Sequence, residues 1–191
     1  MRQGFLILHG IGNHRPPQHW QFLLAAALTE RGHEVRYPQL PDADGPELED
    51  WLIALEAELA LLSDTRVTVV CHSLACSLWF HAAALGRVGQ VDRVLLVSPP
   101  ASDRIPFDGE SFRLESLDAE AVRRSAASEL AMACSDDDPY NLTGAQTMYG
   151  DALGLTATVV PGGAHITPDS GFGPWPFALD WCLHPAGRRL S

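Results

Sequence analysis

Ser73 stands in the segment Cys71-His72-Ser73-Leu74-Ala75, where a run of β-branched residues gives way abruptly to a helical pattern. A serine hydroxyl becomes a nucleophile when a base removes its proton and the backbone lifts it clear of its surroundings. A tight strand–turn–helix does the lifting. The usual form of that turn has glycine two residues before and two after the serine; here the positions hold Cys71 and Ala75, both small. Taken alone, the segment is equally compatible with a serine that only caps a helix N-terminus.

Two further segments raise the chemical reading above that alternative. His9-Gly10-Ile11-Gly12-Asn13 follows the first apolar run, and its glycines permit a close approach of backbone to a substrate carbonyl. Beside a nucleophilic serine, such a loop supplies one oxyanion-hole N–H and the residue after the serine supplies the other. The expected donors are the N–H groups of Ile11 and Leu74. A dinucleotide-binding loop would need a third glycine where Arg15 stands.

Ser135-Asp136-Asp137-Asp138-Pro139-Tyr140 places three carboxylates side by side, which repel one another unless a partner offsets the repulsion. An imidazole is a suitable partner, and His165 follows in the glycine-rich Pro161-Gly162-Gly163-Ala164-His165. The order serine, aspartate, histidine is that of an α/β-hydrolase and differs from the two other common serine protease orders. The chemistry implied is acyl transfer. His165 takes the Ser73 proton, an aspartate stabilises the imidazolium, and water releases the acyl group.

The surrounding pattern supplies elements to hold these loops. Residues 5–8, 67–71 and 91–97 are continuous apolar runs, the mark of strands covered on both faces. Residues 33–37, 130–134 and 156–160 read as weaker strands. Helical spacing is expected over 18–31, 47–62 and 74–85. Further helices are expected from 118, over 141–153 and after Pro176. Strand and helix alternate throughout, which predicts one α/β domain over 1–191 with a three-layer, doubly wound parallel sheet of about six strands. Sites on such sheets lie at the C-terminal strand ends. Residues 101–117 lack a period. They are either a solvated connector or a lid fragment over the site, with Phe107 a candidate substrate contact.

Composition narrows the partners. A formal net charge of −11 repels a phosphate backbone and excludes nucleic acid as the expected partner. No apolar run approaches the ~20 residues needed to span a bilayer. No export signal is evident, so a cytoplasmic protein is expected. The four cysteines, Cys71, Cys76, Cys134 and Cys182, have no C-x-x-C spacing and read as buried thiols. His9, His14 and His19 lack metal-ligand spacing and read as packing and loop residues; the alternative is that they line the pocket, with His9 the candidate substrate contact. No metal or cofactor is expected. His72 reads as structural, because neighbouring side chains leave such a turn in different directions. Trp20, Trp51, Trp79 and Trp181 fall at apolar helical positions and read as core. Trp175 follows the His165 loop and is a candidate wall of the acyl pocket.

The chain resembles the YdeN-like serine hydrolases, the family that includes the retinoblastoma-binding-protein-nine-like hydrolases. The resemblance rests on His-Ser-Leu at 72–74, Gln-His-Trp at 18–20, Ser-Asp-Asp-Asp-Pro-Tyr at 135–140, and Ala-His-Ile-Thr-Pro-Asp-Ser-Gly-Phe-Gly-Pro-Trp-Pro at 164–176. It implies a compact hydrolase without a large cap domain. It also implies that the aspartate before the proline, Asp138, is the catalytic one, ahead of Asp137 and Asp136. Ala75 and Ala164 stand where that family more often has glycine. The retinoblastoma-binding role is not implied, because no L-x-C-x-E segment occurs. Two functions follow as expectations: a hydrolase of small esters, thioesters or amides, or a silent hydrolase-like scaffold that binds a ligand or protein.

Overall fold

In the computed structural model, which describes residues 2–184, six parallel strands form one sheet in the order β2-β1-β3-β4-β5-β6. The strands are β1 (Arg2–Leu8), β2 (Glu34–Arg36), β3 (Thr65–His72), β4 (Val91–Val97), β5 (Ala126–Ser135) and β6 (Thr158–Val160). The helices between them are α1 (Trp20–Glu30), α2 (Leu48–Leu61), α3 (Leu74–Ala84), α4 (Ala119–Arg124), α5 (Asp151–Leu153) and α6 (Pro176–Leu183). Among the described residues, no helix is long and apolar enough to cross a membrane.

The continuous apolar runs have the reason expected of them. Phe5 and Ile7 of β1 pack with α1 and α6 on one face, while Leu6 and Leu8 pack with α2 and α3 on the other. The same division separates Val70 from Val69 and Cys71 on β3, and Leu95 and Val97 from Val94 and Leu96 on β4. Both faces of the sheet are therefore dry, and alternation disappears from its central strands. The four cysteines are free and buried.

Chain order reverses direction between β1 and β3, which lie side by side with Leu8 opposite Cys71. This is the switch point at which doubly wound sheets open a crevice beyond their strand ends. Continuing across the sheet, His72 lies opposite Val97, Val97 opposite Ala133, and Ser135 opposite Val160. The register thus brings the loops after β1, β3, β4, β5 and β6 to one rim.

The sequence reading erred most in the second half. Strand β5 is ten residues long, twice the span expected, because its first half, at residues 126–131, is only partly buried and lacks an apolar run. The expected helix over 141–153 is reduced to a π-helical turn, Gln146–Gly150, that runs into α5. Residues 101–117 form two short 3-10 turns, Ser102–Arg104 and Phe107–Phe112, fixed from several sides. Phe112 and Ile105 are buried. Leu48 N–H donates to Ser111 Oγ at 3.1 Å, and His81 Nε2–H donates to the Phe112 carbonyl at 3.1 Å. This anchored segment is not a solvated connector: Arg104, Ile105 and Pro106 line the cavity over the site, held there by a fixed backbone.

Candidate active site

Ser73 sits between β3 and α3 with φ 56° and ψ −124°. A residue bearing a Cβ costs about 1–3 kcal/mol in such a conformation, which persists only where the surroundings enforce it. The enforcing bonds are Ser73 N–H to the Val97 carbonyl at 2.9 Å and Cys76 N–H to the Ser73 carbonyl at 2.8 Å. The Ser73 side chain makes no capping bond to α3. The helix-cap reading therefore fails, and the hydroxyl is turned toward the rim.

There it meets His165. Ser73 Oγ–H donates to His165 Nε2 at 2.7 Å, and His165 Nδ1–H donates to the Asp138 carboxylate at 2.9 Å to Oδ2 and 3.0 Å to Oδ1. Asp138 also accepts from Tyr140 N–H at 2.9 Å, which fixes its carboxylate. The Tyr140 ring packs against His165 with centroids 4.5 Å apart. Asp138 is only 5 % exposed, whereas Asp136 and Asp137 lie at the surface.

The three aspartates do not share one partner. Asp136 Oδ1 accepts from Gly162 N–H at 2.8 Å, and Asp137 Oδ1 accepts from Ala164 N–H at 2.7 Å. The Ser135 hydroxyl and the Ala164 N–H hold the Asp137 carboxyl below its ordinary range. The carboxylate cluster is thus offset by three separate sets of donors, two of them on the backbone of the His165 loop. Nothing in the sequence distinguishes those backbone partners.

On the other side of Ser73 lies the loop after β1. A Cβ placed on Gly10 would fall 2.7 Å from Ser73 Cβ, so glycine is required for the two backbones to approach. Ile11 and Leu74 line the cavity beside Ser73, and neither N–H donates to another described residue. Leu74 is the first residue of α3, so its N–H is one of those that a helix leaves unpaired.

The cavity over these groups has a volume of about 560 Å³, within the range of small-molecule sites. Its walls include Pro16, Pro100, Ile105 and Pro106 beside Ile11 and Leu74. The three side chains expected to contact substrate lie elsewhere. His9 is fully buried: its Nδ1–H donates to the Gly10 carbonyl at 2.8 Å, and its Nε2 accepts from Leu40 N–H at 2.9 Å. Its role is to brace the loop. Burial lowers its pKa to about 4, so the ring is neutral, as this bonding requires. Phe107 is 75 % exposed and outside the cavity, because the turn at 107–112 buries Phe112 instead. Trp175 turns away to pack on Trp20, Phe172 and Phe177. His14 and His19 do line the cavity. His19 also caps α1, its Nδ1 accepting from Gln21 N–H at 3.2 Å. The sequence reading had chosen the wrong histidine of the three. His72, read as structural, is buried and its Nε2–H donates to the His165 carbonyl at 3.0 Å, a bond the sequence reading did not foresee.

Comparison with known proteins places this geometry in context. The sequence model of the family described as serine hydrolase matches residues 5–182. The ydeN gene product of B. subtilis superposes with a TM-score of 0.75 at 24 % identity, covering 94 % of this chain and 96 % of that one. A YdeN-like hydrolase from Pectobacterium atrosepticum gives a TM-score of 0.73 at 20 % identity, with coverages of 95 % and 90 %. The esterase domain of a Rhodothermus marinus protein gives 0.60 at 15 % identity, with coverages of 94 % and 82 %. No curated protein sequence matches. These structural likenesses establish the shared fold, and with the family match along nearly the whole chain, this protein belongs to the serine hydrolase family.

Proposed function

We propose that this protein hydrolyses a small ester, thioester or amide through an acyl-enzyme on Ser73. The observation that carries the reading is the continuous bonded path from Ser73 Oγ through both nitrogens of His165 to Asp138. Ser73 Oγ attacks the acyl carbon while its proton passes to His165 Nε2. The carbonyl π pair becomes an oxyanion facing the Ile11 and Leu74 N–H groups. Asp138 holds the ring with Nδ1 protonated and stabilises the imidazolium. Collapse of the oxyanion breaks the bond to the leaving group, which takes the proton from Nε2. Water then attacks the acyl-enzyme, gives its proton to the same nitrogen, and releases the acid as Ser73 regains its proton.

The aliphatic and proline walls suit the apolar part of an acyl group of modest length, and Arg104 and Asp169 add charged groups to the same lining. A fluorophosphonate probe tests the nucleophile. The wild type labels at Ser73, and Ser73→Ala neither labels nor hydrolyses p-nitrophenyl esters. A folded wild type that resists the probe would mean a silent scaffold. Esters of increasing chain length, with matched anilides, then give the acyl preference and separate esterase from amidase.

A further inference from the structure

Four side chains from outside the His165 loop hold its backbone. Asp136 and Asp137 accept from Gly162 and Ala164 N–H on the outer side. On the inner side, Trp20 Nε1–H donates to the Ile166 carbonyl at 2.9 Å and His72 Nε2–H donates to the His165 carbonyl at 3.0 Å. The loop has a physical need for such tethers. Ala164 and Ile166, the neighbours of His165 on either side, have φ of 45° and 51°. A left-handed conformation is unfavourable for alanine and more so for β-branched isoleucine. Released, either residue relaxes toward negative φ and swings the imidazole off the line between Ser73 and Asp138.

We propose that His72 is a positioning residue for His165, its ring N–H fixing the carbonyl of residue 165 and so the direction of the imidazole. Of the four tethers, this one falls on residue 165 itself. The proposal rests on the roles given above to Ser73, His165 and Asp138. His72 is 3 % exposed and is fixed edge-on against Trp20 and His19, each with centroids 5.5 Å away. A carbonyl oxygen carries no proton, so His72 Nε2 must carry one. Burial pushes the His72 pKa well below its ordinary value, so the ring stays neutral in that tautomer. Neutrality matters, because the two rings lie 5.2 Å apart and a second cation would oppose the imidazolium that forms on His165 during turnover.

The test compares His72→Leu, which fills the space without a donor, with His72→Gln, which restores an N–H. Near-UV circular dichroism verifies the fold of each. Two readouts are taken from the full chain: kcat and KM on a p-nitrophenyl ester, and the downfield proton resonance of His165 Nδ1–H bonded to Asp138. His72→Leu is expected to lower kcat about 100-fold, the scale of a small misplacement of a reacting group, with KM changed less than about threefold. Its downfield resonance is expected to broaden or vanish, and His72→Gln to recover most of both signals. Should His72→Leu not fold, His72→Asn replaces it, being polar but too short to reach the carbonyl. A donor-free variant with wild-type kcat and an intact resonance overturns the proposal. So does a folded His72→Gln as impaired as His72→Leu. The resonance is read without substrate, so it judges the tether even if Ser73 proves to have no hydrolytic role.

Discussion

Two buried polar constellations lie on this sheet, and they are finished differently. Across β4 and β5, Arg93 and Glu129 are register partners. Arg93 Nε and Nη2 donate to Glu129 Oε2 at 2.8 and 2.6 Å, Nη1 donates to the Cys182 carbonyl, and Nη2 donates to that of Trp181. The guanidinium also lies 3.8 Å over the Trp181 ring. It therefore satisfies carbonyls at the C-terminal end of α6, where a positive charge is favourable. At the opposite end of the strands, the Ser73 hydroxyl opens onto a cavity, two N–H groups nearby have no partner among the described residues, and the backbone at Ser73, Ala164 and Ile166 is strained. A buried charge whose bonds all turn inward holds elements together. One whose neighbours leave donors vacant, and that accepts strain, is arranged for a ligand to complete.

That contrast predicts that damage at the two ends separates into activity and stability. Asp138→Asn keeps the side chain's size but loses the charge that orients His165. Turnover is expected to fall by about 10⁴-fold, as in the corresponding change in another serine hydrolase, with little change in the urea midpoint. Asp136→Asn keeps an oxygen for Gly162 N–H and is expected to cost less than about threefold, the scale of one exposed, neutral-for-charged hydrogen bond. Equal losses at the two positions would mean that the cluster acts through its summed field rather than through one carboxylate. Arg93→Met reverses the pattern. It removes the guanidinium's bonds to Glu129 and to the Trp181 and Cys182 carbonyls, and is expected to cost about 3–5 kcal/mol of unfolding free energy. Probe labelling at Ser73 should survive below the transition. Adding Glu129→Leu should return part of the stability, since no charge then faces the methionine, although it also takes the acceptor from Trp181 Nε1–H. A double variant as unstable as the single one would place the cost in lost packing over Trp181.

What was readable in the sequence follows the same division. That Ser73, the aspartate loop and His165 would meet was legible because their loops follow apolar strands and because their order along the chain is itself informative; the choice of Asp138 among the three aspartates came only from the family resemblance. The central strands were legible because full burial on both faces removes alternation. Strand β5 was half hidden because residues 126–131 are partly exposed at its start and carry no apolar run. The π-helical turn at 146–150 has no signature distinct from an α-helix in residue type. The lining of the cavity was read worst. His9, His14 and His19 differ in role through the hydrogen bonds their rings make, and no spacing rule encodes those bonds. Arg93 and Glu129 were not singled out at all, because a charged residue inside an otherwise apolar strand reads as an interruption until its partner's register is known.

The two ends should also differ in their response to acid. His9, His19 and His72 all cluster near the site, and burial lowers the pKa of each, to about 4 for His9 and His19 and well below the ordinary value for His72. In the unfolded chain each titrates near 6.5. As pH falls below that value, the unfolded state takes up protons that the native rings refuse, so stability falls with pH. The contribution is full above 6.5 and is progressively lost down to about 4, where His9 and His19 charge in the folded state. Urea midpoints between pH 7.5 and 4 should therefore decline, and replacing His9 by Gln should remove up to about 1.4 kcal/mol per pH unit from that slope. The Gln variant costs stability at neutral pH if its amide cannot serve both Gly10 and Leu40, but its slope is still expected to be shallower. Arg93→Met should lower the midpoint at pH 7.5, and replacing His9 by Gln in that background should still make the slope shallower. A slope unchanged by the His9 replacement in both backgrounds would move the acid-sensitive groups away from the site and undo the contrast between the two ends.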